Sequence, residues 1–282
     1  MDNEQAPERL TLDESPTSDA IRRHHVSLEG APDGPALVFA HGFGCDQSMW
    51  RFVWPSFAGV NRIVLFDHVG MGGADSSGFE PARYATLDGY ARDVIEICRE
   101  LALSDIVYVG HSVSAMIGVL AAIQEPDLFA RLVLVCPSPR YIDDADYTGG
   151  FSQADIDELL EAMDDNLRAW SENLAPVIMG NPDRPELSRE LADSFCRADP
   201  VLARHFAHVT FRSDNRRDLE RVTTPALVLQ CAHDAIAPRA VGDYVRDRLA
   251  GSTSVVIEAS GHCPNLSAPD ATVKAIQGFL AS

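Results

Sequence analysis

The chain has 282 residues, of which 46% are hydrophobic, and its formal net charge is −19 at pH 7. This length and this apolar fraction are typical of one large α/β domain with room for an inserted subdomain. The acidic excess disfavours nucleic acids and anionic membranes as partners, because both would repel the protein. Six scattered cysteines without a C-x-x-C pair indicate reduced, mostly buried thiols rather than a disulfide framework or a zinc site.

The N-terminal stretch 1–20, MDNEQAPERLTLDESPTSDA, is acidic and polar. Such a composition leaves little to bury, so we expect a disordered extension. The stretch lacks the basic start and the apolar centre of a signal peptide, which favours a cytoplasmic protein. Along the whole sequence, no apolar run approaches the roughly 18 residues of a membrane span.

From residue 21 onwards, short apolar runs alternate with longer amphipathic patterns. This alternation predicts an α/β fold whose mostly parallel sheet is covered by helices on both faces, because strands buried on both sides are apolar throughout. IRRHHVSLEG predicts an antiparallel edge strand in front of them. The other strands are predicted in ALVFA (36–40), RIVLF (62–66), IVYVG (106–110), LVLVC (132–136), ALVLQ (226–230) and SVVIE (254–258). Helices are predicted in TLDGYARDVIEICREL (86–101) and, near the C-terminus, in AVGDYVRDRLA and DATVKAIQGFLA.

The stretch 139–214 interrupts this alternation with helical patterns alone. DIDELLEAMDDNLRAWSENL, RPELSRELADSFCRA and DPVLARHFAHVTFRS space their apolar residues three or four apart, and GNPDRP and ADP mark turns between them. We expect a helical lid, inserted between strands 6 and 7, over the carboxyl edge of a core made of 21–138 and 215–282. The alternative is that these helices merely extend the core, since amphipathic stripes usually reflect packing.

One serine lies where a buried strand turns into a helix. In YVGHSVSAMIG (108–118), Gly110 and Ser112 follow the apolar run, and an apolar helix follows them. This is the setting of a nucleophile elbow, in which a strained turn lifts the hydroxyl clear of the backbone at a helix N-terminus. The alternative is a capping serine, which gives the same local pattern.

A serine hydroxyl becomes a nucleophile only when a base takes its proton and a third group orients that base. LQCAHDAIAP places Asp234 just after one predicted strand, and EASGHCPNLSAPD places His262 in the loop after the next. The chain order Ser112, Asp234, His262, each at the carboxyl end of a strand, is that of a hydrolase triad on an α/β sheet.

Acyl transfer also requires backbone N–H donors for the developing oxyanion. Val113 follows the serine directly, and Phe43 follows the His41-Gly42 turn at the end of an early strand in VFAHGFGCDQSMW. We expect these two N–H groups to form the oxyanion hole, although a His-Gly turn is also common in ordinary loops.

Other polar residues compete for these roles. Asp67 follows an earlier strand, on the wrong side of the serine for the usual acid, and His111 and His233 are interpreted as structural neighbours of the nucleophile and the acid. His205 and His208 lie three apart on a predicted helix. They lack an H-E-x-x-H pattern and a companion carboxylate, so we expect neither a metal nor another cofactor.

The sequence resembles the α/β-hydrolase family and, within it, the RsbQ-type stress-regulator hydrolases and their plant relatives, the karrikin and strigolactone receptors. The segments that carry the resemblance include FAHGFGCDQSMW, VLFDHVGMGGAD, RYATLDGYARDV, YVGHSVSAMIG, CPSPRYIDD, NPDRPEL, FCRADPVLARHFA, LQCAHDAIAP and GHCPNLSAPD. The His-Gly turn and G-x-S are common to many hydrolases, whereas GFGCDQ, TLDGYA, CPSPRY and NPDRPE are typical of this branch.

The resemblance implies the roles of five residues: Ser112 as nucleophile, His262 as general base, Asp234 as its orienting acid, and Phe43 and Val113 as oxyanion donors. It implies slow hydrolysis of a small hydrophobic ester or lactone, often butenolide-like, in a closed pocket beneath a four-helix lid. It also implies a ligand sensor or positive regulator in a stress-signalling pathway of the sigma-factor type. In that pathway the RsbQ type acts with a PAS-domain-containing phosphatase.

Five aromatic residues are candidates for the pocket walls: Phe43, Trp170, Phe195, Phe206 and Phe211. Two other functions stay open, an ordinary metabolic carboxylesterase or lactonase and a non-catalytic interaction module. The complete set of triad residue types disfavours the second of these. A dehalogenase of this fold would carry Asp instead of Ser at position 112.

Two features depart from the family pattern. Ser114 stands two positions after the nucleophile, where the family usually has Gly, so an extra hydroxyl must fit at a tight contact between strand and helix. The acidic N-terminal extension has no counterpart that we can place, and the sequence indicates no role for it.

Overall fold

The computed structural model describes residues 19–77 and 79–282. The extension predicted over 1–20 therefore lies outside the described residues, apart from its last two. Asp19 and Ala20 begin the first helix, α1 (Asp19–Arg23), and the side chain of Ala20 is buried. The Ala20 N–H donates to the carboxylate of Glu100 at 3.2 Å, which holds this short helix against the domain.

The described residues form one seven-stranded sheet, in the order β1-β3-β2-β4-β5-β6-β7. The strands are β1 (Ser27–Gly30), β2 (Ala36–Ala40), β3 (Arg62–Phe66), β4 (Ile106–His111), β5 (Phe129–Val135), β6 (Ala226–His233) and β7 (Thr253–Ser260). β1 pairs antiparallel with β3, and the other pairs are parallel. The predicted fold class and the antiparallel edge strand are confirmed.

Nine further α-helices follow α1 in the described ranges. They are α2 (Leu87–Glu100), α3 (Val113–Gln124), α4 (Gln153–Asp165), α5 (Leu167–Met179), α6 (Pro185–Arg197), α7 (Pro200–Phe211), α8 (Arg239–Arg248), α9 (Pro264–Ser267) and α10 (Pro269–Leu280). The side chain of Thr86 accepts the Asp88 N–H and caps α2. Helix α3 is buried through its first ten residues, which are apolar apart from Ser114, because it packs against α2 and the sheet.

Helices α4 to α7, which we call the insertion helices, lie between β5 and β6. In this count they follow the fifth strand, not the sixth, because the described residues supply seven strands in total. The continuous helical pattern predicted over 155–174 is in fact two helices that meet at Asn166. Asn166 has an extended backbone, with φ at −154°, and its side chain accepts the Ala169 N–H at 3.1 Å. An asparagine that caps a new helix competes with continuation of the old one.

The parallel register brings four loops to the same edge of the sheet. They follow β2, β4, β6 and β7, and they contain the His41-Gly42 turn, Ser112, Asp234 and His262 respectively. Ligand sites in α/β proteins form at this carboxyl edge, because helix N-termini and loops converge there.

All six cysteines lie within the described residues and are free thiols, five of them buried. No helix in the part of the chain that the structure describes is long and apolar enough to cross a membrane.

Candidate active site

Ser112 occupies a strained turn between β4 and α3. Its φ of 57° and ψ of −122° lie outside the regions that side chains with a Cβ normally adopt, at a cost of about 1 to 3 kcal/mol. The Ser112 N–H donates to the Val135 carbonyl at 2.8 Å, which holds the turn against β5. A Cβ on Gly110 would lie 2.4 Å from the carbonyl oxygen of Ser114, so only glycine allows this close approach of strand and helix.

His262 lies between Ser112 and Asp234. Its Nε2 is 2.7 Å from Ser112 Oγ, and its Nδ1 is 2.7 Å from Asp234 Oδ2. The side chains of His262 and Asp234 are only 5% and 1% exposed. The three predicted residues thus form a continuous, buried hydrogen-bond chain.

Two backbone N–H groups hold the carboxylate of Asp234. Its Oδ1 accepts from Ile236 at 2.8 Å and from Ala237 at 3.0 Å. Burial alone would raise the pKa of Asp234, but the charge and hydrogen bond of His262 and these N–H donors outweigh burial and lower it. Asp234 is therefore ionised and keeps one oxygen for the imidazole.

His111 fixes the loop that carries His262. Its Nε2 lies 2.7 Å from the carbonyl oxygen of His262. Burial and the neighbouring His262 lower the pKa of His111 to about 3, so the ring is neutral and its Nε2–H donates to that carbonyl. The other ring nitrogen, Nδ1, is buried and has no partner among the described residues.

The His41-Gly42 turn packs directly against the serine. A Cβ on Gly42 would lie 3.3 Å from the Ser112 Cβ and 2.5 Å from His111 Nδ1. Val113 is the first residue of α3, so its N–H has no acceptor within the helix. The turn and the helix N-terminus therefore flank the position that a substrate carbonyl on Ser112 would occupy.

The hydroxyl of Ser114, the residue that departs from the family pattern, is fully engaged. Its Oγ donates to the His41 carbonyl at 2.5 Å and lies 2.7 Å from His68 Nε2. Burial keeps the pKa of His68 well below its usual value, so this ring is neutral and donates through Nε2. Ser114 thus joins the helix after the nucleophile to the turn that precedes Phe43.

A small cavity of about 40 Å³ lies over Ser112 and His262. By this measure it holds only a few water molecules. Its lining residues are Phe43, Cys45, His111, Ser112, Tyr141, Leu159, Leu174, Ile178, Leu191, Phe195, Thr210, Phe211, Ile236, His262 and Cys263. The insertion helices supply much of this largely apolar wall, so a substrate larger than the cavity requires them to move.

Three of the five predicted wall aromatics line the cavity, namely Phe43, Phe195 and Phe211. Trp170 and Phe206 do not belong to the lining that the described residues form. Their ring centroids lie 6.2 Å and 5.8 Å from that of Phe43, so both pack against this residue. The four helical aromatics all lie on the buried faces of α5, α6 and α7, so spacing alone did not separate those that line the cavity from those that do not.

Sequence reasoning missed several lining residues, and two of them are polar. Tyr141 ends the branch-specific segment CPSPRY, a signal that was available; burial raises its pKa to about 12, and it interacts with the Ser112 hydroxyl. Thr210 was hidden in the apolar stripe of α7. Cys45 is a buried thiol whose pKa burial raises to about 12, so it is not a nucleophile.

The structure contains one cluster of three potential metal ligands in its described ranges, formed by Cys136, Asp234 and His262. A hydrogen bond to the Cys231 side chain, which favours the protonated thiol, and burial raise the pKa of Cys136 well above its usual value. The carboxylate of Asp234 and the imidazole of His262 already bind each other, so two of the three members of the cluster belong to the hydrogen-bond chain. The two histidines of α7 have separate partners: His205 contacts the Tyr84 carbonyl, and His208 contacts Asp164.

The insertion helices contact the loop of His262 through the end of α5. The His262 N–H donates to the Ile178 carbonyl at 2.7 Å. In the turn that follows α5, Asn181 Nδ2 donates to the Ser260 carbonyl at 2.9 Å, and Arg184 donates to the Ser267 carbonyl at 2.8 Å. The branch-specific segment NPDRPE therefore joins the insertion helices to the histidine loop.

The fold and this constellation define an α/β hydrolase, and the chain belongs to that family. The profile of the alpha/beta hydrolase family matches residues 37–275. Among solved structures, a hydrolase from Oleispira antarctica superposes with a TM-score of 0.91 at 38% identity, covering 94% of this chain and 97% of that one.

Within the family, the chain is similar to plant receptors and esterases. A probable esterase of Oryza sativa subsp. japonica and "Karrikin insensitive 2 receptor CA" of Petunia hybrida are each 41% identical over 251 residues, 89% of this chain and 93% of theirs. A strigolactone esterase of Arabidopsis thaliana is 41% identical over 234 residues, 83% of this chain and 87% of its own. The predicted family and the predicted relationship to these plant proteins are confirmed.

Proposed function

We propose that the protein is a serine hydrolase that cleaves a small hydrophobic ester or lactone through an acyl-serine intermediate. The hydrogen-bond chain from Ser112 through His262 to Asp234, with both links at 2.7 Å, carries this proposal. The position of Ser112 and His262 in the wall of a small, largely apolar cavity supports the substrate class.

Each residue has a defined part in the mechanism. Ser112 Oγ attacks the substrate carbonyl while His262 Nε2 accepts the hydroxyl proton, and Asp234 holds the required imidazole tautomer. The N–H groups of Phe43 and Val113 stabilise the tetrahedral oxyanion. His262 then gives the proton to the leaving oxygen, and a water molecule, deprotonated by His262, hydrolyses the acyl-serine ester.

We further propose that the protein acts as a sensor of a butenolide-like ligand and as a positive regulator in an RsbQ-type, sigma-factor stress pathway. The similarity to proteins named karrikin receptor and strigolactone esterase supports a small-ligand sensor. In this proposal, 139–214 acts as the lid of a core formed by 21–138 and 215–282, and a cytoplasmic PAS-domain phosphatase is the partner. The hydrogen bonds between the His262 loop and the insertion helices would transmit ligand binding in the cavity to the protein surface.

The second candidate is an ordinary metabolic carboxylesterase or lactonase. Similarity to "Pimeloyl-[acyl-carrier protein] methyl ester esterase" of Nitrosomonas europaea, 24% identical over 87% of this chain and 95% of that protein, favours it. Both candidate functions use the same acyl-serine chemistry, but a sensor turns its ligand over slowly and a metabolic esterase turns its substrate over fast.

A stopped-flow time course of 4-nitrophenyl acetate hydrolysis tests both proposals. Wild type is expected to release about one equivalent of 4-nitrophenolate in a burst, followed by slow turnover, whereas Ser112→Ala shows neither. Ser171→Ala is the matched control, because the hydroxyl of this buried serine bonds only within its own helix. We expect this variant to keep the burst. Retained turnover in Ser112→Ala would exclude Ser112 as nucleophile, and fast sustained turnover in wild type would favour the metabolic esterase.

A further inference from the structure

Thr210 is an unusual residue of the cavity wall. It lies near the end of α7 and is 1% exposed. Its Oγ1 is buried and has no hydrogen-bond partner in the residues that the structure describes. A helical threonine ordinarily satisfies its hydroxyl by donating to the carbonyl four residues earlier, as Thr272 does in α10 with the Ala268 carbonyl at 3.1 Å. Thr210 therefore carries a hydroxyl that its own helix leaves unused.

The surroundings of Thr210 make this hydroxyl distinctive. The lining residues from the insertion helices are Leu159, Leu174, Ile178, Leu191, Phe195, Thr210 and Phe211. Within that set, Thr210 is the one polar side chain. An unsatisfied hydroxyl in an apolar wall destabilises the empty protein, and a ligand atom that bonds it recovers the loss.

We propose that Thr210 forms a polar subsite, separate from the oxyanion hole, that recognises an oxygen atom of the substrate away from the scissile carbonyl. The substrate class is thereby narrowed to oxygenated hydrophobic esters or lactones, which carry an ether, ring or second carbonyl oxygen. This inference rests on the proposed function. The subsite also gives the proposed function a reason for selectivity, because a buried hydroxyl discriminates against ligands that leave this hydroxyl unpaired.

The test compares 4-nitrophenyl pentanoate with two isosteres, 4-nitrophenyl ethoxyacetate and 4-nitrophenyl 3-methoxypropanoate, in which an ether oxygen replaces one chain methylene. The measured quantity is kcat/KM of each ether divided by that of pentanoate, in wild type, Thr210→Val and Thr210→Ser. Comparing this ratio between proteins cancels the different intrinsic reactivities of the esters. For at least one ether, we expect the ratio to fall about 5-fold or more in Thr210→Val and to be kept in Thr210→Ser.

Thr272→Val is the matched control, because it removes a buried helical hydroxyl that is already bonded and lies outside the cavity. It should leave the ratio unchanged. A second measurement needs no substrate: Thr210→Val should raise the thermal midpoint by about 1 to 3 °C, whereas Thr272→Val should not raise it.

The outcomes separate the two proposals. If wild type hydrolyses the esters but the ratio is the same in Thr210→Val within twofold, the subsite is overturned and the proposed function stands. If wild type hydrolyses none of them above the level of Ser112→Ala, the proposed function fails and the subsite fails with it. A lower thermal midpoint in Thr210→Val would show that the hydroxyl is satisfied within the protein, which also overturns the subsite.

Discussion

The floor and the roof of the cavity are built on different principles. The floor consists of the loops after β2, β4, β6 and β7, and its polar groups are held by hydrogen bonds of 2.5 to 3.0 Å, such as those of Asp234 and Ser114. The roof consists of the insertion helices, whose cavity-facing side chains are apolar apart from Thr210. A dense polar network fixes atoms to fractions of an ångström, whereas apolar packing tolerates substitution of similar volume. The floor is thus suited to chemistry and the roof to selection of the ligand.

Among the substitutions in the floor, Asp234→Asn should have the largest effect on the rate. An amide at this position favours the wrong imidazole tautomer, so we expect kcat to fall by about 10⁴-fold while the fold persists. The rate is measured from steady-state hydrolysis of 4-nitrophenyl acetate, with subtraction of the rate of Ser112→Ala. A loss of less than tenfold would show that another carboxylate orients His262.

Acid should lower the stability of the protein through two buried neutral histidines beside the active site, His111 and His68. Burial lowers the pKa of His111 to about 3 and that of His68 well below its usual value, whereas both histidines titrate near 6.5 when unfolded. The unfolded chain therefore binds more protons below pH 6.5. Consequently the free energy of unfolding is intact above that pH and falls by about 1.4 kcal/mol per pH unit for each histidine as pH drops toward 4.

Urea denaturation at several pH values between 7 and 4 measures this slope. His111→Gln should make the slope shallower by about one proton. Equal slopes in wild type and His111→Gln would contradict the neutral state of His111.

Asn181→Ala tests whether the contact between the insertion helices and the His262 loop contributes to the rate. This change removes the hydrogen bond from the turn after α5 to the Ser260 carbonyl, just before the His262 loop. We expect kcat to fall about tenfold, because small displacements of a base are costly in rate. Asn166→Ala at the opposite end of α5 is the control, since it removes a helix cap and costs about 1 kcal/mol of stability without touching that loop. Equal effects of the two variants on kcat would contradict a positioning role for Asn181.

Ser114→Gly should have the smallest effect on rate. It leaves the His41 carbonyl and His68 Nε2 without their shared partner, so we expect a stability loss of about 1 to 3 kcal/mol and a change in kcat of less than tenfold. Urea denaturation and steady-state hydrolysis measure the two quantities, with Ser114→Ala as the control for backbone flexibility. Turnover faster than wild type would show that the hydroxyl hinders the turn at Ser112.

The sequence by itself determined the sheet, its edge strand and the location of the polar groups at its carboxyl edge. These follow from local patterns: apolar runs form the strands, and in parallel strands the ends that carry Ser112, Asp234 and His262 must lie at one edge. The motifs of the α/β-hydrolase family predict the same chain order of nucleophile, acid and base. Chain order was therefore enough to expect the three side chains to meet, although 150 residues separate Ser112 from His262.

Only the tertiary structure decided which of the buried aromatics face the cavity, and that Trp170 and Phe206 do not. It also decided that Ser114 finds two partners, that α4 and α5 separate at Asn166, and that the hydroxyl of Thr210 finds no partner among the described residues. The physical reason is that these outcomes depend on side chains distant in sequence that meet only when the helices pack. Periodicity reports that a face is buried, but it does not report which neighbour, or which empty space, that face meets.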